Sequence, residues 1–297
     1  MKIVITGANS SVGKNLLKQL ANKPDLTVIA GVRSESAFAS LPKSASITPK
    51  VVAYDDLPGL SETLQGADCV IHLAGILIES KHSNYASANV AATEAVLNAA
   101  KANSVKHFVF ISVVGASADS SNAYFRSKGT AEQLVIGSGI PASILRTPIL
   151  LGIGSAGSFT LKSAIAKGQT KVLGGGNYTM RPLDVDDLNN ALINLSQKSV
   201  TGATVYELVG PQAITYKDLI KLAGKTKNVD INVGTAPIWL AKLASSITSV
   251  IKGGGISPTV IDVITMNEAI EKNADNELGI TLTPLQDTLN KILAEAS

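Results

Sequence analysis

Two side chains that together could move a proton lie four residues apart, Tyr124 and Lys128 in the segment NAYFRSKGTAEQL. The segment has the pattern of a helix running towards Val135, and a spacing of four places both side chains on one helical face. A neighbouring ammonium stabilises a phenolate, which lowers a tyrosine pKa from its ordinary value of about 10. Such a tyrosine can protonate a developing alkoxide, or deprotonate an alcohol, near neutral pH. The pair therefore predicts acid–base chemistry.

The first fourteen residues, MKIVITGANSSVGK, predict a strand that turns sharply into a helix. Lys2 to Thr6 has the unalternating apolar core of a buried strand, while Gly7 and Gly13 allow a tight turn and a close helix–strand approach. Free N–H groups at such a helix start attract phosphate. We therefore expect a dinucleotide pyrophosphate site in this turn, formed by Gly7, Asn9, Ser10, Ser11, Val12 and Gly13. An ordinary strand-to-helix turn is the alternative, because Ser10 stands where many dinucleotide loops have a glycine.

The composition is that of a compact globular chain: of 297 residues, 45% are hydrophobic and 16% are charged, which excludes a disordered protein. A net charge of +3 is too small and too scattered to predict nucleic-acid binding. A single cysteine, Cys69, and three histidines without a shared spacing predict neither a disulfide nor a metal site. The start lacks the pattern of a signal peptide, and no apolar run is long enough to span a bilayer. We expect a soluble, cytoplasmic protein.

The second predicted strand, Leu26 to Val32, ends at Arg33. An acidic residue at this strand end would bind the adenosine ribose hydroxyls and repel a 2′-phosphate. A guanidinium instead suits a phosphate or the face of adenine. Arg33 therefore favours NADP(H) over NAD(H) as the cofactor, with a solvated strand-end arginine as the alternative.

Further strand and helix patterns alternate with short connections. Strands are predicted at Lys50 to Tyr54, Ala67 to Leu73, His107 to Ser112 and Ile140 to Thr147, and helices at Leu57 to Gln65 and Tyr85 to Ala102. Right-handed crossovers between such units produce a doubly wound parallel sheet, whose carboxyl edge binds ligands. Leu73, Ala74 and Gly75 end the fourth strand at that edge, where small residues let a flat ring approach the backbone. A Tyr–Lys pair also arises by chance, so its place after the fifth strand, at the same edge, carries the argument.

Six segments in this order resemble the extended short-chain dehydrogenase/reductase superfamily, which is NAD-dependent epimerase/dehydratase-like: TGANSSVG, the strand ending in LAG, NVAATEAVLNAAK, HFVFISVVGA, YFRSK and ILRTPILLG. Within it, the chain is similar to the atypical branch that contains the nucleotide-binding accessory subunit of respiratory complex I and its bacterial relatives. GIL after the fourth strand, SVVGA where sugar epimerases have a Ser-rich run, and GGGNYTMRPLDVDDL support that branch. The resemblance covers residues 1–225 well and the rest of the chain only loosely.

The resemblance implies a role for each cofactor residue. The turn from Gly7 to Gly13 would hold the pyrophosphate, and Arg33 would meet the adenosine 2′-phosphate. Asp55 would contact the adenine, and Leu73 to Gly75 would line the adenosine and ribose. Thr147 would lie in the turn beside the nicotinamide.

The resemblance also implies a catalytic set. Tyr124 would be the acid/base, Lys128 would anchor the ribose, and Asn89, at the head of NVAAT, would help to complete a proton relay. One position departs from the pattern, because Val113 stands where catalytic relatives have a Ser or Thr that hydrogen-bonds the reacting oxygen. Ser112 comes one residue early and would point to the other face of the strand. Losing that donor removes roughly 2.7–4 kcal/mol of transition-state stabilisation, judging by oxyanion donors elsewhere.

The second half of the chain carries more strand and helix patterns. Helices are predicted at Phe159 to Lys167, Leu188 to Leu195, Ser257 to Asn273 and Pro284 to Ala294, with a strand at Val205 to Val209 and a helix opened by the N-cap Thr215. Asp184, Asp186 and Asp187 could suggest a metal, but acidic residues at a helix start cap free N–H groups, and we prefer that interpretation. Arg181 is expected to border the cleft or to pair with one of these acids.

The segment from Pro237 to Lys252 predicts an amphipathic helix that carries Trp239. One interpretation is a core-facing helix that closes over the substrate cleft. The other is a helix that docks on a membrane surface or a protein partner, because a tryptophan beside apolar residues suits an interface.

Together these patterns predict a dinucleotide-binding Rossmann core over residues 1–150. Residues 151–297 are expected to return to the sheet and form a small, mostly helical cap. The first functional hypothesis is an NADP(H)-dependent oxidoreductase acting on an unidentified small molecule, with NAD as second choice. The second is a non-catalytic accessory or redox-sensing protein that binds the dinucleotide without consuming it, which Val113 motivates.

Overall fold

A seven-stranded parallel sheet forms the centre of the computed structural model, which describes residues 1–23, 25–252, 254–268, 270 and 272–294. Numbering strands along the chain, its members are β1 (Lys2–Thr6), β2 (Thr27–Val32), β3 (Ile47–Val51), β4 (Cys69–His72), β5 (His107–Val113), β6 (Ala142–Thr147) and β11 (Ala203–Glu207). Their spatial order is β11-β6-β5-β4-β1-β2-β3. The chain thus reverses direction across the sheet between β1 and β4, and the predicted doubly wound fold is confirmed.

Helices cover both faces of this sheet. They are α1 (Ser11–Leu20), α2 (Leu57–Leu64), α3 (Ala92–Ala102), α4 (Ala123–Gly137) and α6 (Val185–Ser196). Apolar residues of α1 and α6 pack on one face, and those of α2, α3 and α4 pack on the other. Both faces being buried explains why β1 and β4 are apolar without alternation, with Ile3, Val4 and Ile5 fully buried.

The smaller lobe combines helices with short sheets. Its helices are α5 (Ala156–Lys167), α7 (Tyr216–Thr226), α8 (Ile238–Lys252), α9 (Pro258–Ile264) and α10 (Leu285–Ala294). Its strands are β7 (Leu150–Leu151), β8 (Gln169–Leu173), β9 (Thr179–Met180), β10 (Leu183–Asp184), β12 (Ile214–Thr215) and β13 (Asn232–Ala236), which pair as β7–β10, β9–β12 and β8–β13. Leu161, Leu219 and Leu289, from α5, α7 and α10, share a separate apolar core.

Several predicted boundaries differ from the observed ones, and two of them show the physical reasons. The third strand was expected at Lys50 to Tyr54 but spans Ile47–Val51, because it pairs in register with β2 from Val28 to Val32. It includes Pro49, which an edge strand tolerates since the missing N–H has no partner to lose. The helix expected from Ser257 to Asn273 ends at Ile264, where the Thr265 N–H closes the last turn on Ile261 and Val263.

None of the helices in the described part of the chain combines the length and the apolar character needed to cross a membrane.

Candidate functional site

The N-terminal turn has the geometry that its glycines predict. Gly7 adopts a left-handed φ of +72°, and a Cβ there would lie 2.8 Å from the Ala74 backbone nitrogen. A Cβ on Gly13 would lie 2.5 Å from the Ala8 carbonyl oxygen, so α1 approaches the turn more closely than any side chain permits. The Ser10 hydroxyl accepts a hydrogen bond from the Gly13 N–H at 3.0 Å and caps α1. The prediction of a tight strand–turn–helix unit is therefore confirmed.

A cavity of about 720 Å³ opens beside this turn at the carboxyl edge of the sheet, within the range of about 300–1,000 Å³ typical of small-molecule sites. Its walls include eight of the predicted cofactor residues: Gly7, Asn9, Ser10, Arg33, Asp55, Leu73, Ala74 and Gly75. The turn, the strand end after β4 and the end of β2 thus meet at one cavity. Gly7 and Gly13 let the turn pack tightly against Ala74 and Ala8, while the polar residues Asn9 and Ser10 line the cavity, so this lining fits a dinucleotide.

The other predicted residues of the turn lie outside that cavity wall. Ser11 lines a smaller recess of about 320 Å³ beside α1, where its carbonyl accepts from the Asn15 side chain at 2.8 Å. Val12 packs against the apolar core, and Gly13 lies against Ala8 beneath the turn. Their contribution is to the shape of the turn.

The resemblance assigns Arg33 and Asp55 to the adenosine of the cofactor. Both side chains are exposed and both line the cavity, together with the ring of Tyr54. Burial raises the pKa of Tyr54 to about 12, while its hydrogen bond to Thr6 and the charge of Arg33 oppose that shift. Tyr54 was not predicted from the sequence, since its position depends on the shifted register of β3.

Tyr124 and Lys128 lie one turn apart near the start of α4, behind the cavity. The Lys128 ammonium donates to the Ile111 carbonyl at 2.7 Å and lies 4.2 Å from the centroid of the Phe110 ring. A Cβ built on Gly75, which lines the cavity, would lie 3.2 Å from Asn89 Oδ1 and 3.8 Å from Lys128 Nζ. Lys128 thus lies next to the cavity wall without lining the cavity itself.

The pKa values of this pair differ from the expectation. Burial raises the pKa of Tyr124, and the neighbouring Tyr85 raises it further, so the predicted lowering is wrong in direction. The physical reason is that Lys128 is itself buried and is held by Ile111 and Phe110. Burial lowers the pKa of Lys128 to about 8, although the charge of Glu132 opposes the shift.

Asn89 is fully buried in a π-helical turn, Ala86–Ala91, that precedes α3. Its side-chain oxygen accepts from the Ile76 N–H at 2.7 Å, and its side-chain nitrogen donates to the Ile76 carbonyl and to the Ser127 hydroxyl, both at 3.0 Å. Asn89 thus ties the segment after β4 to α4. The π-helical turn, a feature often found at functional sites, was not predicted.

A buried polar chain that sequence reasoning missed runs beneath the cavity. Thr6 Oγ1 lies 2.6 Å from His72 Nδ1, and His72 Nε2 lies 3.1 Å from Thr93 Oγ1, which donates to the Asn89 carbonyl at 2.7 Å. Because the Thr93 proton is directed to Asn89, Nε2 carries the His72 hydrogen and Nδ1 accepts from Thr6. Burial lowers the pKa of His72 to about 3, so the ring is neutral. The sequence did contain one sign of this chain, because His72 is a polar residue at the end of the apolar strand β4.

The pairing of β5 with β6 shows which face of the sheet Val113 and Ser112 each occupy. Val113 pairs with Thr147, whereas Ser112 pairs with Arg146, whose guanidinium bonds Glu132 of α4. Ser112 therefore faces α4, the opposite side of the strand from Val113. Its hydroxyl is buried and has no hydrogen-bond partner among the described residues. Thr147 Oγ1 donates to the Ser112 carbonyl at 3.3 Å and lies outside the cavity wall.

The acidic cluster and Arg181 have structural partners. Asp184 caps α6, and it accepts from Thr288 and Lys291 of α10, as the capping interpretation predicts. The Arg181 side chain donates to the carbonyls of Gly210 and Pro211 rather than to these carboxylates. No group of three or more metal-ligating side chains is found in the described ranges.

The helix expected at Pro237 to Lys252 is present as α8, but its apolar residues do not all face the core. Trp239 is 69% exposed, and Leu243 and Ile247 are 55% and 56% exposed. The core-facing interpretation is therefore wrong for this side of α8. Docking on a membrane or a partner stays a prediction.

Comparison with known proteins agrees with this geometry. A family model described as NAD(P)H-binding matches residues 7–172. A 4-hydroxy-2-methyl-3-oxo-4-farnesyl-3,4-dihydroquinoline-1-oxide ketoreductase of Stigmatella aurantiaca is 24% identical, covering 82% of this chain and 79% of the relative. Subunit 9 of the mitochondrial NADH dehydrogenase [ubiquinone] 1 alpha subcomplex of Arabidopsis thaliana is 25% identical, covering 73% of this chain and 56% of the relative.

Solved structures share the fold. The UDP-glucuronic acid 4-epimerase of Bacillus cereus, solved with UDP-glucuronic acid and NAD, superposes with a TM-score of 0.78 at 20% identity, covering 99% of each chain. With the family model matching more than half of its length, this chain belongs to the NAD(P)H-binding family, within the extended short-chain dehydrogenase/reductase superfamily.

Proposed function

We propose that the protein is an NADP(H)-dependent oxidoreductase that interconverts a carbonyl and an alcohol, with Tyr124 as the acid/base. The observation that carries this proposal is the juxtaposition at Gly75. Gly75 lines the dinucleotide cavity, and a Cβ built on Gly75 would lie 3.8 Å from the Lys128 ammonium. Tyr124 lies one helical turn before that ammonium on the same helix.

The protonation states are those of the reduction direction. The Tyr124 hydroxyl, whose pKa is raised by burial, is protonated at neutral pH and would be the proton donor. Lys128, with a pKa of about 8, is mostly charged there, and its ammonium would stabilise the phenolate left after proton donation. A nicotinamide dinucleotide supplies the hydride when bound. Lys128 would also hold its ribose, while the turn from Gly7 to Gly13 would hold its pyrophosphate.

The preference for NADP over NAD rests on Arg33. Its guanidinium is exposed at the end of β2, on the wall of the cavity, where a dehydrogenase that uses NAD needs a carboxylate for the ribose hydroxyls. Asp55, from the segment after β3, also lines the cavity and would contact the adenine. A guanidinium beside the 2′-position would pair with a phosphate in two parallel hydrogen bonds.

Replacing Tyr124 with Phe tests the catalytic assignment. The phenyl ring keeps the apolar contacts with Tyr85 and Phe125, whose ring centroids lie 5.7 and 5.8 Å away, and removes the proton. Loss of a positioned general acid is expected to lower kcat about 10²- to 10⁴-fold. NADPH oxidation by both proteins is followed with a series of carbonyl compounds and quinones as substrates, and NADPH affinity is measured by fluorescence. If the variant reduced a substrate of the wild type with an unchanged kcat, the assignment would be contradicted.

A second function, that of a nucleotide-binding accessory protein, is favoured by Val113 and the unpartnered Ser112 hydroxyl. A site without a donor for the reacting oxygen binds a dinucleotide and turns over slowly or not at all. The relative from Arabidopsis thaliana, named as a subunit of NADH dehydrogenase, agrees with such a role. NADPH binding without turnover of any compound in the series would favour this function.

A further inference from the structure

We infer that the substrate of this site is an uncharged lipophilic carbonyl compound rather than a nucleotide-linked or phosphorylated one. The inference rests on the proposed reductase function, because it names the substrate class of the same site. It rests on two observations. The side chains around Tyr124 are apolar, and the three arginines outside the dinucleotide cavity already bind partners within the protein.

The groups nearest to Tyr124 are apolar, and the rings of Tyr85 and Phe125 are buried against it. Tyr85 presents its ring, because its hydroxyl is already donated to the Leu77 carbonyl at 2.7 Å. The Phe125 ring also packs on Tyr124, with the ring centroids 5.8 Å apart. Met266 lies near Phe125, since a Cβ built on Gly115 would lie 3.2 Å from the Met266 sulfur and 3.4 Å from the Phe125 ring. Rings and a thioether bind flat or chain-like apolar groups well.

Two segments frame this region and carry exposed isoleucines. The segment after β4 carries Ile78, 45% exposed, and the segment between α8 and α9 carries Ile256, 56% exposed. They touch directly, because the Gly255 N–H donates to the Glu79 carbonyl at 2.9 Å. α9 is joined to the start of α4 by a hydrogen bond from the Asn122 side chain to the Thr259 carbonyl at 3.1 Å. An apolar rim thus lies beside the helix that carries Tyr124.

A diphosphate or phosphate on the substrate would call for cationic side chains, among which guanidinium groups bind such anions in pairs of hydrogen bonds. The chain has four arginines, and Arg33 belongs to the dinucleotide cavity. The other three already have protein partners. Arg126 donates to Ser120 and Ser121, Arg146 pairs with Glu132 and Glu207, and Arg181 donates to Gly210 and Pro211.

The exposed lysine of the rim belongs to the cofactor side. Lys81 directly precedes His82 and Ser83, which line the dinucleotide cavity. We therefore assign its charge to the dinucleotide.

The test compares two probes for binding by ligand-observed NMR, which needs no turnover: geranylacetone, an uncharged isoprenoid ketone, and UDP-glucose, a nucleotide sugar. We expect geranylacetone to bind to the NADPH-loaded protein and UDP-glucose not to bind. Ile256→Glu places a charge in the apolar rim and is expected to weaken geranylacetone binding about tenfold or more. Ile136→Glu is the matched control, because Ile136 is similarly exposed at 51% but lies twelve residues from Tyr124 along α4, about 18 Å.

The results of this binding test support or contradict the inferred substrate class as follows. The inference would be overturned if UDP-glucose bound, or if neither probe bound. It would also be overturned if the two glutamate variants weakened geranylacetone binding equally. NADPH affinity of both variants is measured alongside and is expected to equal that of the wild type. Geranylacetone binding to a protein that binds no NADPH would refute the proposed reductase while supporting the apolar site.

Discussion

Lys128 shows how burial and charge oppose each other at a single residue. Its ammonium is removed from water, which disfavours the charged form, while the Ile111 carbonyl and the Phe110 ring replace part of the lost hydration. The balance leaves a pKa of about 8, compared with an ordinary value of 10.5. This residue therefore changes charge in a range of pH that is easily reached.

The stability of the protein should depend on pH through Lys128. Between its folded pKa of about 8 and its unfolded value of 10.5, the unfolded chain binds more protons than the folded one. The free energy of unfolding contributed by this group therefore rises with pH across that window, by up to about 1.4 kcal/mol per pH unit. Urea denaturation from pH 7.5 to 9.5 should show the rise in the wild type relative to Lys128→Met. Parallel curves for the two proteins would show that Lys128 is not buried as described.

At this scale the sequence predicted the placement of side chains better than their energetics. A spacing of four places Tyr124 and Lys128 on one face of a helix wherever that helix lies, and the structure has them there. The pKa of Tyr124 depends instead on burial and on Tyr85, which approaches from a different element. Such long-range contacts leave no local pattern in the sequence.

At the scale of elements, the strand–turn–helix unit depends on close approach at Gly13. Gly13→Ala would drive a methyl group to 2.5 Å from the Ala8 carbonyl oxygen, a backbone atom that cannot move aside cheaply. We expect the free energy of unfolding to fall by about 1–3 kcal/mol, as in other overpacked sites. Urea denaturation measures the change.

Gly137, at the end of α4, provides the control for this substitution. It is also a helical glycine, but a Cβ there would meet nothing within 4 Å. Gly137→Ala should leave the stability unchanged or raise it by up to about 1 kcal/mol, because alanine is the better helix former. If the two alanine variants were equally stable, the close contact at Gly13 would be refuted.

Local patterns predicted most elements and failed where pairing decides. Apolar β-branched runs identified β1, β4 and β5, and Thr215 caps α7 as expected. The register of β3 is set by its pairing with β2, and the π-helical turn before α3 is set by the contacts of Asn89. Neither depends on the residues of the segment alone.

At the scale of the whole molecule, alternation of strands and helices was enough to predict the doubly wound sheet and its ligand-binding edge. Right-handed crossovers leave few other arrangements for such a chain. The cap was less predictable, because its three two-stranded sheets pair segments that are far apart in sequence. The exposed face of α8 was equally unpredictable, because amphipathicity shows that a helix has an apolar side but not what covers it.

The central claim is that the N-terminal turn and the strand ends around it bind a dinucleotide, with Arg33 selecting its 2′-phosphate. Calorimetric titration of the wild type and of Arg33→Ala with NADPH and NADH tests this most directly. We predict that each protein molecule binds one dinucleotide. The wild type should bind NADPH about tenfold or more tightly than NADH, and the variant should bind the two with nearly equal affinity. An absence of binding heat with both dinucleotides would contradict the claim, and equal weakening of the two in Arg33→Ala would contradict the role of Arg33.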